Sequence, residues 1–309
     1  MATMTDMQVV QNIKRENVGI YIHVPFCLSK CHYCDFCSMS RADEDIKQRY
    51  VDALCREIKE SAERVSGKLE ADTVYFGGGT PSLLSAGQFE QILSEIDHSF
   101  IIADDAEITA EVNPKTADVE KLSTMRALGI NRVSIGMQSA DDKELRALGR
   151  IHSFEDFKRC FDDARAAGFD NISADLMYGI PEQTMESFRH SIEVLCHLSP
   201  EHISSYCLTV EEGTNFHRRR DKLDFPDEDS VSDMYEEMSR LLAEHGYEKY
   251  EISNFSKKGR ESRHNLKYWH CEDYLGFGPA AHSYFGGARF AHSRDIDAYL
   301  RGESIIIDN

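Results

Sequence analysis

The chain has 309 residues, 41% of them hydrophobic, and 54 acidic against 35 basic residues give a formal charge of −19. That is enough apolar content for one large domain with a small appendage, and the charge opposes general affinity for nucleic acid or an anionic membrane surface. No apolar run approaches the roughly 18 residues of a membrane helix, and the opening MATMTDMQVVQNIKREN lacks the features of a signal or transit peptide, so a cytoplasmic location is expected.

After an N-terminal tail (1–18), the stretch 19–210 alternates short β-rich runs with longer helical patterns, the mark of βαβ units and a parallel sheet. Strands are expected at Gly19–Val24, Asp72–Gly77, Glu107–Val112, Asn131–Met137, Asn171–Tyr178 and His202–Leu208. Helices are expected at Asp45–Val65, Ala86–Phe100, Asp118–Leu128, Phe154–Ala167 and Met185–Leu198. One face of each strand is apolar, as in Ile20, Ile22 and Val24 or Val133, Ile135 and Met137. The other register carries Tyr21, His23, Tyr75, Thr109, Glu111, Ser134, Gln138, Ser173, Asp175, Ser204 and Tyr206. A filled barrel would place branched apolar residues there, so polar groups on all six strands point to a lumen that holds a polar ligand.

From 211 to 309 the pattern changes to a C-terminal α+β extension. A basic run, His217–Lys222, precedes an amphipathic helix at Asp227–His245, a strand-like YEKYEIS (Tyr247–Ser253), and a loop rich in aromatic residues, His and Gly from Asn254 to Phe290.

Nine cysteines in a reducing compartment do not read as a disulfide framework. Five are scattered, while HVPFCLSKCHYCDFC places Cys27, Cys31 and Cys34 in a CxxxCxxC spacing directly after the first strand. Thiolates this close wrap one compact metal centre; a zinc site usually pairs two such clusters, and a ferredoxin run has a fourth cysteine followed by proline. Cys37 is either a fourth ligand or a neighbour. Gly77, Gly78, Gly79 and Thr80 end the second strand, where glycines let backbone approach a ligand closely or merely form a tight turn.

Cys27, Cys31 and Cys34, with Tyr33 before the last and GGGT after the second strand, resemble the signature of the radical S-adenosylmethionine (SAM) superfamily. The resemblance implies a partial (β/α)6 TIM-like barrel holding a [4Fe-4S] cluster on those three cysteines, with SAM chelated at the open iron and reductively cleaved to a 5'-deoxyadenosyl radical. It further implies SAM contacts from Tyr21, Tyr33, Gly78, Gly79, Thr80, Glu111, Gln138, Arg150 and Asp175, Arg150 suiting the carboxylate. Each of these polar residues could equally be a salt-bridged structural group.

YIHVPFC, GGGTPS, DLMYGIPEQT, YEISNF and GFGPAAHSY together resemble the oxygen-independent coproporphyrinogen III oxidase group. Within it, RHNLKYW (Arg263–Trp269) fits the HNxxYW pattern of the haem chaperone branch, HemW. That implies haem as bound cargo, with His264 as axial imidazole, Tyr268 and Trp269 as flat faces, and Arg263 and Lys267 meeting propionates; His282 is a second candidate ligand. Read without the resemblance, His264, Tyr268 and Trp269 are satisfied structural residues. The implied partners are haem or a porphyrin, a reducing electron donor and a haem-acceptor protein, with a membrane met only through the acceptor. The alternative function is coproporphyrinogen III dehydrogenase, so whether the chain is an enzyme stays open; a plain iron-sulfur protein is a third reading. Both branches normally continue into a further small helical domain, which this chain is expected to lack.

Overall fold

The computed structural model describes residues 17–65, 67–303 and 306–308. The expected tail lies outside them except for Asn17 and Val18, and Val18 already opens the first strand.

Six parallel strands follow one another across the sheet: β1 (Val18–Val24), then, after the two-residue strands β2 (Phe26–Cys27) and β3 (Met39–Ser40), β4 (Glu70–Gly78), β5 (Ile101–Val112), β6 (Arg132–Gln138), β7 (Ile172–Tyr178) and β8 (His202–Cys207). Between them run α1 (Glu44–Glu63), α2 (Ala86–Ser99), α3 (Val119–Ala127), α4 (Asp142–Ala147), α5 (Phe154–Ala166) and α6 (Met185–Leu198). Helix starts are written in the sequence. Ser85 with Gln88, Ser153 with Asp156, and Thr184 with Ser187 form reciprocal caps in which side chain and backbone satisfy each other's free groups.

The register aligns like with like. Ile20 lies beside Val74 and Ile22 beside Phe76, and Val133 lies beside Ile172 and Ile135 beside Ala174. All eight are buried in one core with Leu54, Phe89, Ile92, Phe157, Phe188 and Leu195 of the covering helices. The alternate side chains are thereby left on the concave face, which faces the lumen.

The segment after 210 extends the same sheet at both edges. It comprises α7 (Asn215–Arg219), α8 (Glu228–Glu244), β9 (Glu248–Lys249), β10 (Asn254–Ser256), α9 (Arg263–His270), β11 (Tyr274–Phe277), β12 (His282–Phe285), β13 (Ala288–His292), α10 (Ile296–Leu300) and β14 (Ile306–Asp308). β10 runs antiparallel to β8, and β11 runs parallel to β1, pairing Gly19 with Tyr274 and Ile22 with Phe277. Residues 257–273 therefore pass from one edge of the open barrel to the other, and α9 lies within that crossing.

Two expectations are corrected. Tyr247–Ser253 is not one strand: pairing is confined to β9, and 251–253 bend so that β10 can meet β8. The stretch from Asn254 to Phe290 is not a loop, and HNxxYW sits on a helix, α9. Ser262 accepts from Asn265 N at its start, and Cys271 ends it in a left-handed conformation (φ 53°). Eight residues are too few turns for helical periodicity to register. No described helix is long and apolar enough to cross a membrane.

Candidate functional site

The concave face encloses a cavity of about 800 Å³, lined by Tyr21, Tyr75, Glu111, Ser134, Gln138, Ser173, Asp175, Ser204 and Tyr206 among others. That is within the range of cofactor-sized sites. His23 and Thr109, expected on the same face, do not line it. The His23 ring is pinned between Cys37 O (Nε2, 2.8 Å) and Tyr21 Oη (Nδ1, 3.2 Å). It lies where a Cβ on Gly78 (φ +100°) would come within 2.6 Å, so only glycine permits this approach.

The cysteine loop forms the cavity's upper end, at the C-terminal ends of the strands. Cys27, Cys31 and Cys34 all line it. Thr80 Oγ1 donates to Cys27 Sγ (3.8 Å) and Arg150 Nη1 to Cys31 Sγ (3.6 Å). Asn113 Nδ2 donates to Thr80 Oγ1 (2.7 Å). Gly79 N donates to Val24 O (2.8 Å), and a Cβ at Gly79 would lie 2.6 Å from Phe26 O, so this glycine seats the loop against the second strand of the barrel. Cys37 is turned away: it is buried, donates to Arg294 O (3.2 Å) and does not line the cavity.

The donor set suits a polynuclear iron-sulfur centre. The three thiols are free, partly exposed and line one cavity together. A four-iron cube takes one thiolate at each of three corners, which requires them apart. Burial raises the Cys27 thiol and pushes Cys34 up to about 11, so metal loading at neutral pH must displace protons.

Below the loop sit two carboxyls. Burial, then the neighbouring Asp175, raises Glu111 to about 8, and its Oε1 accepts from Tyr75 OH (2.9 Å). Burial likewise raises Asp175 to about 6, against the bond from Ser134 Oγ (3.0 Å). At neutral pH Glu111 is mostly protonated and Asp175 mostly ionised, which leaves one acceptor and one mixed donor–acceptor facing the lumen. Gln138 is buried in the left-handed region (φ 67°) at a bulge between β6 and β7, and its Oε1 accepts from Tyr206 OH (3.2 Å). A non-glycine residue held there stores backbone strain of a kind that gathers at ligand sites. Arg150 lies across β6, where a Cβ on Gly136 would be 2.5 Å from its Nη2.

The lower end is closed by α9. His264 and Tyr268 line the same cavity as the cysteines. His264 is 1% exposed, with Nδ1 on Thr73 Oγ1 (2.8 Å) and Nε2 on Tyr268 OH (2.9 Å). Burial, with Lys267 and Arg132 adding, lowers it to about 3, so the ring is neutral. The Thr73 and Tyr268 hydroxyls can each donate or accept, so either neutral tautomer satisfies both contacts. His202 repeats the arrangement across the floor, between Ser173 Oγ and Tyr250 OH (both 2.8 Å).

The rest of the expected haem pocket disperses. Lys267 is buried and ion-paired to Asp72 (3.0 Å) and Glu272 (3.2 Å), Arg263 pairs with Asp105 (3.4 Å) and Asp72 (3.8 Å), and neither cation lines the cavity. Trp269 is half-exposed and outside the cavity, because a helix that turns residues 264 and 268 inward turns 269 outward. His282 is exposed on β12.

Sequence reading passed over Arg132 and His202, the first residues of β6 and β8, both lining the cavity. The signal was present: each lies two residues before an inward-facing serine, Ser134 and Ser204.

Comparison with known proteins gives one direction. The radical SAM superfamily matches residues 21–195. The haem chaperone HemW of Bacillus subtilis is 38% identical over 91% of this chain and 74% of its own length, and that of Escherichia coli 38% over 87% and 71%. A solved structure of Escherichia coli coproporphyrinogen III oxidase (HemN), described as a radical SAM enzyme, superposes with a TM-score of 0.85 at 25% identity, covering 97% of this chain and 72% of that one.

Proposed function

Since the chain belongs to the radical SAM superfamily and, within it, to the HemW family, we propose that it is a haem chaperone: it holds a [4Fe-4S] cluster and SAM in the upper lumen, takes haem at the floor, and passes the haem to an acceptor protein. The observation that carries this reading is that a single cavity is lined at one end by Cys27, Cys31 and Cys34 and at the other by His264 and Tyr268.

In this reading Cys27, Cys31 and Cys34 bind the cluster, while Gly78, Gly79 and Thr80, which line the cavity beside them, border the SAM site. Arg150 is buried and, as a guanidinium, keeps its charge there, so it offers a fixed cation for the SAM carboxylate. Tyr21, Tyr33 and Gln138 line the walls, and Asp175 and Glu111 supply acceptors for hydroxyl and amino groups. When bound and reduced, the cluster supplies the electron for reductive cleavage of SAM. At the floor, a neutral imidazole is the form that would ligate haem iron, and His264 Nε2, held by the Tyr268 hydroxyl (2.9 Å), is the nitrogen that could be offered to it. Thr73 continues to fix the other nitrogen and with it the ring's orientation. Trp269 then acts from outside, as an exposed aromatic face for cargo or acceptor.

The test is anaerobic reconstitution followed by SAM. The electron paramagnetic resonance of the reduced cluster should change on adding SAM, and Arg150→Ala or Asp175→Ala should weaken that response; a spectrum unchanged at saturating SAM contradicts the reading. The dehydrogenase reading is favoured by the extent of the HemN superposition. It predicts protoporphyrinogen from coproporphyrinogen III with SAM and reductant, and the chaperone reading predicts none.

A further inference from the structure

Arg132 is a cation without a partner. It is 2% exposed, lines the lumen and carries a buried Nε that meets no acceptor; among the described residues its guanidinium makes no hydrogen bond or ion pair. Lys267 and Arg165, by contrast, are matched, by Asp72 and Glu272 and by Glu201, and the other buried guanidinium of the lumen, Arg150, reaches Cys31 Sγ (3.6 Å). An unpaired charge out of water is unfavourable, and guanidinium cannot escape by losing its proton. Glu111 and Asp175 are close enough to feel Arg132 electrostatically but not to pair with it, and Glu111 is held mostly protonated. The two imidazoles beside it, His202 and His264, are kept neutral by burial and in part by Arg132 itself. The floor of the lumen therefore holds a guanidinium that no carboxylate pairs, Glu107 being engaged with His264 N (3.3 Å) and Asp175 with Ser134 Oγ (3.0 Å).

We infer that Arg132 is a binding residue for a ligand carboxylate at the lumen floor, in the first instance a propionate of a tetrapyrrole. This rests on the reading that the floor takes haem, and it supplies the cation that Arg263 and Lys267, paired elsewhere, do not. The carboxylate is a second one, distinct from that of SAM. Arg150 lies against Gly136, four residues further along β6, which at ~3.3 Å per residue is about 13 Å nearer the cysteine loop. A planar fork of donors fits a carboxylate with two parallel hydrogen bonds. Ser134 and Ser173, on the same lumen face, leave the approach polar rather than filled.

The experiment compares haem with haem dimethyl ester, whose carboxylates are blocked, as ligands of the reconstituted full chain and of its Arg132→Met and Arg132→Lys variants. Wild type should prefer haem over the ester by on the order of tenfold to a hundredfold. Arg132→Met should lose that preference, Arg132→Lys should keep part of it, and the response of the cluster to SAM should persist in both. Methionine retains the apolar stem, so ligand-free Arg132→Met should melt no lower than wild type. A drop of several degrees would assign the cation to the fold and overturn the inference, as would an Arg132→Met variant that still prefers haem. Wild type that binds haem without preferring it to the ester overturns this inference alone, whereas wild type that binds no haem overturns the chaperone reading as well.

Discussion

Single side chains carry the most direct expectations. Alanine at Cys27, Cys31 or Cys34 should abolish the iron and sulfide content of reconstituted protein, whereas Cys37→Ala should keep it, because Cys37 bonds Arg294 O outside the cavity; cluster loss in Cys37→Ala equal to the other three would make this a four-cysteine site. Glu111 gives a pH signature. Burial raises it from 4.5 to about 8, so between those values the folded chain keeps a proton that the unfolded chain releases. Stability of the cluster-free protein should therefore fall as pH rises from about 5 to 8 and level off beyond. Glu111→Gln, uncharged throughout, should melt close to wild type at pH 5 and above it at pH 8, by about 2–4 °C for each kcal/mol recovered. A slope confined to the region below about pH 7 should remain, because Asp175, raised to about 6, titrates with the same sign. Equal slopes in the two proteins would show that Glu111 is not held protonated by the fold.

At the scale of elements, α9 is fastened by charge more than by apolar packing. Lys267 joins it to Asp72 on β4 and to Asn17 O before β1 (2.9 Å), and removing one partner of so buried a pair costs about 3 kcal/mol. Lys267→Ala should lower the denaturant midpoint well beyond Ser262→Ala, which removes an N-cap worth about 1 kcal/mol, while Trp269→Ala should stay within about 0.5 kcal/mol; a Lys267 variant as stable as wild type would show that α9 is held by other means. The barrel strands were legible in the sequence because each alternates and is bounded by turn residues, so the inward register from Tyr21 to Tyr206 emerged with only His23 and Thr109 astray. Those two fail because the His23 ring is pinned against Gly78 and Thr109 is fully buried, both by neighbours that sequence does not show. α9 was hidden for a different reason: its two turns are anchored by ion pairs and side chain–backbone hydrogen bonds reaching residues 158 to 250 positions away. The same long-range pairing took Arg263 and Lys267 out of the haem pocket that RHNLKYW seemed to assemble in seven consecutive residues.

For the whole molecule, the decisive feature is that the crossing from β10 to β11 carries α9 under an open barrel whose upper end is the cysteine loop. A chain with a formal charge of −19 repels a dianionic porphyrin in general, so binding must come from a specific pocket. On the proposed reading the lumen would supply one, from a neutral His264, an unpaired Arg132, and walls of hydroxyl and phenol groups. On that reading, cluster and haem would share one space while depending on different residues, so that a variant should empty one without emptying the other. The measurement that tests this most directly is a haem titration of the anaerobically reconstituted protein, followed at the Soret band with iron-sulfur absorption recorded on the same sample. The account predicts saturation at one haem per chain with a shifted Soret band, and loss of that shift in His264→Ala with the cluster retained; a wild-type protein with its cluster intact and no Soret shift would contradict it.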